Sequence, residues 1–122
     1  MQKRILVIED DELVMSMLCK VLETEGYTVV RAENGAIGIK KFQEGGIDLV
    51  ITDLIMPEKE GIETIRELKA LDPQVNIIAI SGGGILAPEQ YLAIAKRLGV
   101  QRTFAKPFSR DEILAAVLQL CA

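Results

Sequence analysis

Residues 5–11 read Ile5-Leu6-Val7-Ile8-Glu9-Asp10-Asp11. Four apolar residues in succession, with no polar residue alternating among them, describe a strand covered on both faces. That is the pattern of a parallel sheet rather than of a half-solvated antiparallel one. The run stops abruptly on three acids, so whatever lies beyond this strand begins with a concentration of negative charge.

Working outward, similar runs recur at Thr28-Val29-Val30, Asp48-Leu49-Val50-Ile51, Val75 to Ile80 and Thr103-Phe104-Ala105. Helix-period stretches lie between them. The first is expected from about Glu12 to Thr24, stopping at Gly26. The second follows Asn34-Gly35 and ends near Gly45-Gly46. A third begins near Gly61 and ends before Asp72-Pro73, because the residue preceding a proline is pushed out of the helical region. The fourth starts around Pro88, suited to a first helical turn, and closes before Gly99. The fifth opens on Ser109-Arg110-Asp111-Glu112, a capping-box pattern, and runs on to the C-terminus. Regular β-α alternation with short connections implies right-handed crossovers and a doubly wound (βα)5 three-layer α/β sandwich. With no linker, repeat or low-complexity stretch in sight, residues 1–122 are expected to form one domain.

Composition removes several function classes. The chain has no histidine, and Cys19 and Cys121 stand far apart without metal-ligand spacing. A zinc site and a Ser-His or Cys-His nucleophile pair are therefore ruled out. A formal charge of −4 without a Lys/Arg cluster argues against direct nucleic-acid binding. No apolar run approaches the length of a membrane span, and the N-terminus lacks the h-region of a secretory signal. Two reduced, mostly buried thiols fit the cytoplasmic location expected on these grounds.

In a doubly wound sheet, ligands bind at the carboxyl ends of the strands. Standing there are Glu9-Asp10-Asp11 after the first strand, Asp53 after the third, Ser81-Gly82-Gly83-Gly84 after the fourth and Lys106-Pro107 after the fifth. Each has an ordinary explanation by itself. The acids could cap the first helix, Asp53 could close a turn, Ser81 could belong to a loop and Lys106 could be a solvated surface lysine. Their conjunction on one sheet edge says more. Glu9, Asp10 and Asp53 repel one another without a cation, and hard oxygen ligands of this kind suit Mg2+. Lys106 supplies positive charge for a phosphoryl oxygen and Ser81 a hydroxyl donor. These parts fit phosphoryl transfer to a carboxylate, in which positioning and charge neutralisation dominate.

The segments Ile5 to Asp11, Asp53-Leu54-Ile55-Met56-Pro57 with Gly61, Ile80-Ser81 and Lys106-Pro107-Phe108 resemble the receiver domains of two-component response regulators over the whole chain. The resemblance implies a flavodoxin-like sheet of order 2-1-3-4-5. It implies Asp53 as phospho-acceptor, with Mg2+ held by Asp10, Asp53 and the backbone carbonyl of Ile55, and by Glu9 through a water. Lys106 would pair with the phosphoryl group or, before its arrival, with Asp53, while Ser81 would swing toward the phosphoryl oxygen. The bond before Pro107 would be cis. The phosphoryl group would come from a histidine kinase or histidine phosphotransfer protein docked on the first helix. The face formed by the fourth helix, fifth strand and fifth helix would serve output or homodimer formation. Beyond autophosphorylation and autodephosphorylation, no enzyme activity is implied.

Two features depart from the family pattern. Many receivers carry an aromatic residue three positions before this lysine, where Thr103 stands here. Phe104 comes one residue later, on the opposite strand face, and is expected in the core. Second, the triple glycine after Ser81 leaves the following loop free of Cβ restraint. Among rival functions, aspartate-dependent phosphohydrolases need an acid two residues after the nucleophile, where Ile55 stands. Nucleotide binding lacks a glycine-rich fingerprint. A receiver-like interaction module that is never phosphorylated is the remaining alternative.

Overall fold

The computed structural model describes residues 2–54, 61–82 and 88–122. Five strands, β1 (Arg4–Ile8), β2 (Thr28–Ala32), β3 (Leu49–Asp53), β4 (Ile77–Ser81) and β5 (Arg102–Ala105), alternate with five helices, α1 (Glu12–Thr24), α2 (Gly35–Gln43), α3 (Gly61–Leu71), α4 (Pro88–Arg97) and α5 (Arg110–Leu120). All strand pairs are parallel and the order is β2-β1-β3-β4-β5, the doubly wound arrangement expected. The expected strand at 48–51 shifts along by a residue. Asp48 stays outside β3, and its carboxylate accepts a hydrogen bond from the Arg4 N–H at 2.8 Å.

The unbroken apolar run of β1 is explained by its two faces. Ile5 and Val7 pack with Leu49, Ile51, Ile78 and Ile80 beneath α1 and α5. Leu6 and Ile8 join Val50, Ile77 and Ala79 beneath Ile39 of α2, Ile65 and Leu68 of α3 and Ala95 of α4. Successive side chains of a strand point to opposite faces, so a central strand with a helical layer on each side has no solvent-facing position to give to a polar residue. All four residues from Ile5 to Ile8 are fully buried. At about 1.5–3 kcal/mol for each such side chain, this strand is a principal contributor to the core.

Local chemistry sets the helix ends. The Asp11 carboxylate accepts from the N–H groups of Leu13 at 2.9 Å and Val14 at 3.4 Å, so capping is its role. Asn34 caps α2 through Ile37 N–H at 2.9 Å, and the Ser109 hydroxyl accepts from Glu112 N–H at 3.0 Å. Past α1 the chain turns at Gly26 with φ +92°, a conformation that L-residues with a side chain rarely adopt. Cys19 and Cys121 are both buried free thiols. Phe104 packs against the core beneath α1 and α5, as its strand position implied. Among the described residues, no helix is long and apolar enough to cross a membrane.

Strand register levels the site. Ile8 lies beside Thr52, so Glu9 stands level with Asp53; Asp53 lies beside Ile80, and Ser81 beside Ala105. Ser81 is thus one step, and Lys106 two steps, beyond the level of Asp53 on the same edge of the sheet.

Candidate phosphoryl-acceptor site

The carboxylates of Glu9, Asp10 and Asp53 each offer an oxygen within 4.8 Å of the others. Glu9 is held by its backbone, whose N–H donates to Ala32 O at 3.0 Å, and by its side chain, where Oε2 accepts from Asp11 N–H at 3.1 Å. Asp53 closes β3, where the Thr52 hydroxyl donates to its carbonyl oxygen at 3.0 Å. Glu9 and Asp53 are 1% and 3% exposed, whereas Asp10 faces solvent. Negative charge is therefore concentrated in a buried spot with one open side.

Lys106 reaches this spot from β5. Its Nζ lies 2.9 Å from Glu9 Oε1 and donates to Asp53 Oδ2 at 3.2 Å. The resemblance implied the pairing with Asp53; the shorter contact to Glu9 is additional. Sequence reasoning had no means of finding it, because Glu9 and Lys106 are separated by two intervening strands of the sheet. Burial and then the charge of Asp53 push Glu9 up from an ordinary 4.5 to about 7, despite the opposing pull of Lys106. For Lys106 burial works against the charge, but Glu9 and Asp53 outweigh it and its affinity for a proton rises. Among the described residues, the Lys106 ammonium contacts two of the three carboxylates, Glu9 and Asp53.

Ser81 is fully buried, and its hydroxyl has no hydrogen-bond partner among the described residues. A buried hydroxyl left in that state costs roughly 1–3 kcal/mol, so the site holds a donor with nothing to donate to. The Ser81 carbonyl accepts from Lys106 N–H at 2.8 Å, tying the ends of β4 and β5 together. The Lys106–Pro107 bond is cis, as the resemblance implied. Ile55, whose carbonyl was the remaining expected metal ligand, and Gly83 and Gly84 lie outside the described residues.

Gly61 is a site residue whose function the motif alone did not reveal. Its N–H donates to Leu54 O at 3.0 Å, and a Cβ there would overlap the Asp53 carbonyl oxygen and the Leu54 Cα. The start of α3 can sit against the backbone of Asp53 and Leu54 only because this position has no side chain. Two clefts flank the cluster. One, of about 310 Å³, includes Glu9, Asp10, Arg31 and Lys41 in its lining. The other, of about 380 Å³, is formed by Val14, Met17, Gly82, Lys106, Pro107 and Phe108.

All three donors are hard carboxylate oxygens, gathered closely, which fits a small divalent cation such as Mg2+. Comparison with known proteins agrees with this chemistry. A family model for the response regulator receiver domain matches residues 5–118. The chemotaxis protein CheY of Bacillus subtilis (strain 168) is 37% identical over 119 residues, 96% of each chain. The crystal structure of a response regulator receiver domain protein from Clostridium thermocellum aligns with a TM-score of 0.89 at 28% identity, covering 98% of this chain and 94% of that one. Response regulator protein TrrA from Thermotoga maritima, solved in complex with Mg2+ and BeF, aligns at 0.86 with 33% identity, over 98% of this chain and 99% of that one. By fold, by the residues gathered at the strand ends and by descent, this chain belongs to the response regulator receiver domain family.

Proposed function

We propose that this chain is a phosphorylatable switch in two-component signalling, with Asp53 as the phospho-acceptor. The observation that carries this reading is the gathering of three carboxylates, two of them paired with the Lys106 ammonium, beside a buried Ser81 hydroxyl that has no partner among the described residues. In the reaction, a carboxylate oxygen of Asp53 attacks the phosphorus of a phosphohistidine. A P–O bond forms, the P–N bond breaks and the imidazole takes a proton. Bound Mg2+, held by Glu9, Asp10, Asp53 and the carbonyl of Ile55, would neutralise charge on the phosphoryl oxygens. Lys106 exchanges its carboxylate partners for a phosphoryl oxygen, and Ser81 supplies the hydroxyl donor. The Mg2+ and BeF of the similar TrrA structure support such a site.

The phosphoryl source is a histidine kinase or a histidine phosphotransfer protein. Its docking surface is the apolar ground beside Asp53, where Leu13 is 83% exposed and Val14 and Met17 of α1 face Pro107 and Phe108 across a cleft. The α4-β5-α5 face, on which Leu118 is half exposed, carries the signal to a partner, an attached effector or a second copy. Residues 1–122 act as one domain, and catalysis is limited to the chain's own phosphorylation and dephosphorylation.

The test is intact-mass measurement after incubation with acetyl phosphate, with and without Mg2+, beside an Asp53→Ala variant. One Mg2+-dependent phosphoryl adduct, absent in the variant, is expected. No adduct, together with no binding of beryllofluoride, would replace this reading by that of an interaction module that is never phosphorylated.

A further inference from the structure

We infer that Lys41 guards the open edge of the sheet: its ammonium occupies the Arg31 carbonyl and so keeps β2 from pairing with β2 of a second copy of this chain. The inference stands apart from the switch reading above and needs neither Mg2+ nor a phosphoryl group. β2 is the outermost strand on its side of the sheet. Thr28 N–H donates to Lys3 O and Ala32 O accepts from Glu9 N–H, both at 3.0 Å. In a parallel ladder alternate residues turn both backbone groups to the same neighbour, so Thr28, Val30 and Ala32 serve β1. Val29 and Arg31 therefore turn their N–H and C=O groups outward, away from the sheet.

Such an edge is a template for another strand, and this one is complementary to itself. Its outward-facing residues, Val29 and Arg31, stand symmetrically about Val30. With a two-fold axis through Val30, antiparallel copies of β2 set Val29 of each opposite Arg31 of the other, and each such pair exchanges both backbone hydrogen bonds. The two Val30 side chains then meet across the axis, a favourable β-branched pair, and no arginine faces an arginine. One contact stands in the way. Lys41 Nζ donates to Arg31 O at 2.6 Å, and this is the acceptor that the pairing needs from each copy. A cation in the last turn of a helix ordinarily complements the carbonyls of its own helix, but Lys41, in the last turn of α2, reaches out to the strand instead. Its hydrogen bond must break in both copies before the strands can join. Lys40 carries the same charge in the same turn and is exposed, which makes it the control.

The experiment compares wild type, Lys41→Met, Lys41→Arg and Lys40→Met by sedimentation equilibrium over a concentration series, in chelator-treated buffer. The dimer association constant of Lys41→Met is expected to exceed that of wild type by about tenfold or more. Lys40→Met, with the same loss of charge, and Lys41→Arg, which keeps a donor for the Arg31 carbonyl, are expected to stay within about twofold of wild type. Amide hydrogen exchange locates the contact. In Lys41→Met the N–H groups of Val29 and Arg31 should gain protection as concentration rises, while those of Thr28 and Val30 do not change. No gain in association for Lys41→Met, an equal gain for Lys40→Met, or a dimer that leaves the Val29 and Arg31 amides unprotected would overturn the guarding role. None of these measurements involves Asp53, so a chain that takes no phosphoryl group would sink the switch reading and leave this one standing.

Discussion

Replacing Lys106 by Met removes the ammonium while keeping an unbranched stem that can lie over Gly82. The loss is felt at two buried carboxylates, 2.9 and 3.2 Å away. The Asp53 contact is a charge-assisted hydrogen bond, whose removal costs about 1.5–3 kcal/mol. Glu9 behaves differently, because it can escape by taking up a proton. With its pKa near 7, Glu9 in the folded wild type is mostly protonated at pH 6 and mostly ionised at pH 9, so the contribution of Lys106 to holding its charge is felt mainly at the higher pH. Removing Lys106 raises this pKa further and forfeits that contribution.

The sign follows from linkage. A carboxyl raised from 4.5 to about 7 makes folding take up a proton, so its effect on wild-type stability falls between those pH values and levels off above. In the variant the fall continues to higher pH. The penalty of Lys106→Met should therefore grow as pH rises through about 7, by about 1.4 kcal/mol for each unit by which the substitution raises the Glu9 pKa. Urea denaturation of both proteins, followed by circular dichroism in chelator-treated buffer, measures it. A penalty that stays constant between pH 6 and pH 9, or shrinks, would refute the placement of the ammonium against a buried and readily protonated Glu9.

Two further substitutions probe the backbone and the hydroxyl. Gly61→Ala forces a Cβ into the Asp53 carbonyl and Leu54 Cα, and fixed backbone cannot yield as a side-chain tip can. A loss of about 2–3 kcal/mol is expected in urea, with weaker Mg2+ binding by calorimetry, and an unchanged midpoint would contradict this packing. Ser81→Ala deletes a buried hydroxyl that has no partner among the described residues, so the unphosphorylated protein should lose nothing and gain up to about 1 kcal/mol, while adduct formation slows. A clear loss of stability in the same denaturation assay would mean that the hydroxyl is bonded.

The sequence by itself determined the architecture and most of the site. Ile5 to Ile8 could only be a strand covered on both sides, because hydrophobicity without alternation leaves no face for water. Caps such as Asp11, Asn34 and Ser109 were legible since a helix end needs acceptors for its free N–H groups within a few residues. Strand-end positions made Glu9, Asp10, Asp53, Ser81 and Lys106 candidates, as parallel topology sends every strand's carboxyl end to one edge.

Only tertiary structure decided how those residues share charge. The Glu9–Lys106 pair, the elevated proton affinity of Glu9 and a Ser81 hydroxyl without a partner among the described residues depend on burial and on the register between strands that are not neighbours in sequence. The same holds for Gly61, which the sequence offered as a motif residue at a helix start, and for Gly82, which it offered as part of a triple glycine free of Cβ restraint. Their significance is the room left where a Cβ would be, and that room is defined by backbone and side-chain atoms brought in from other strands.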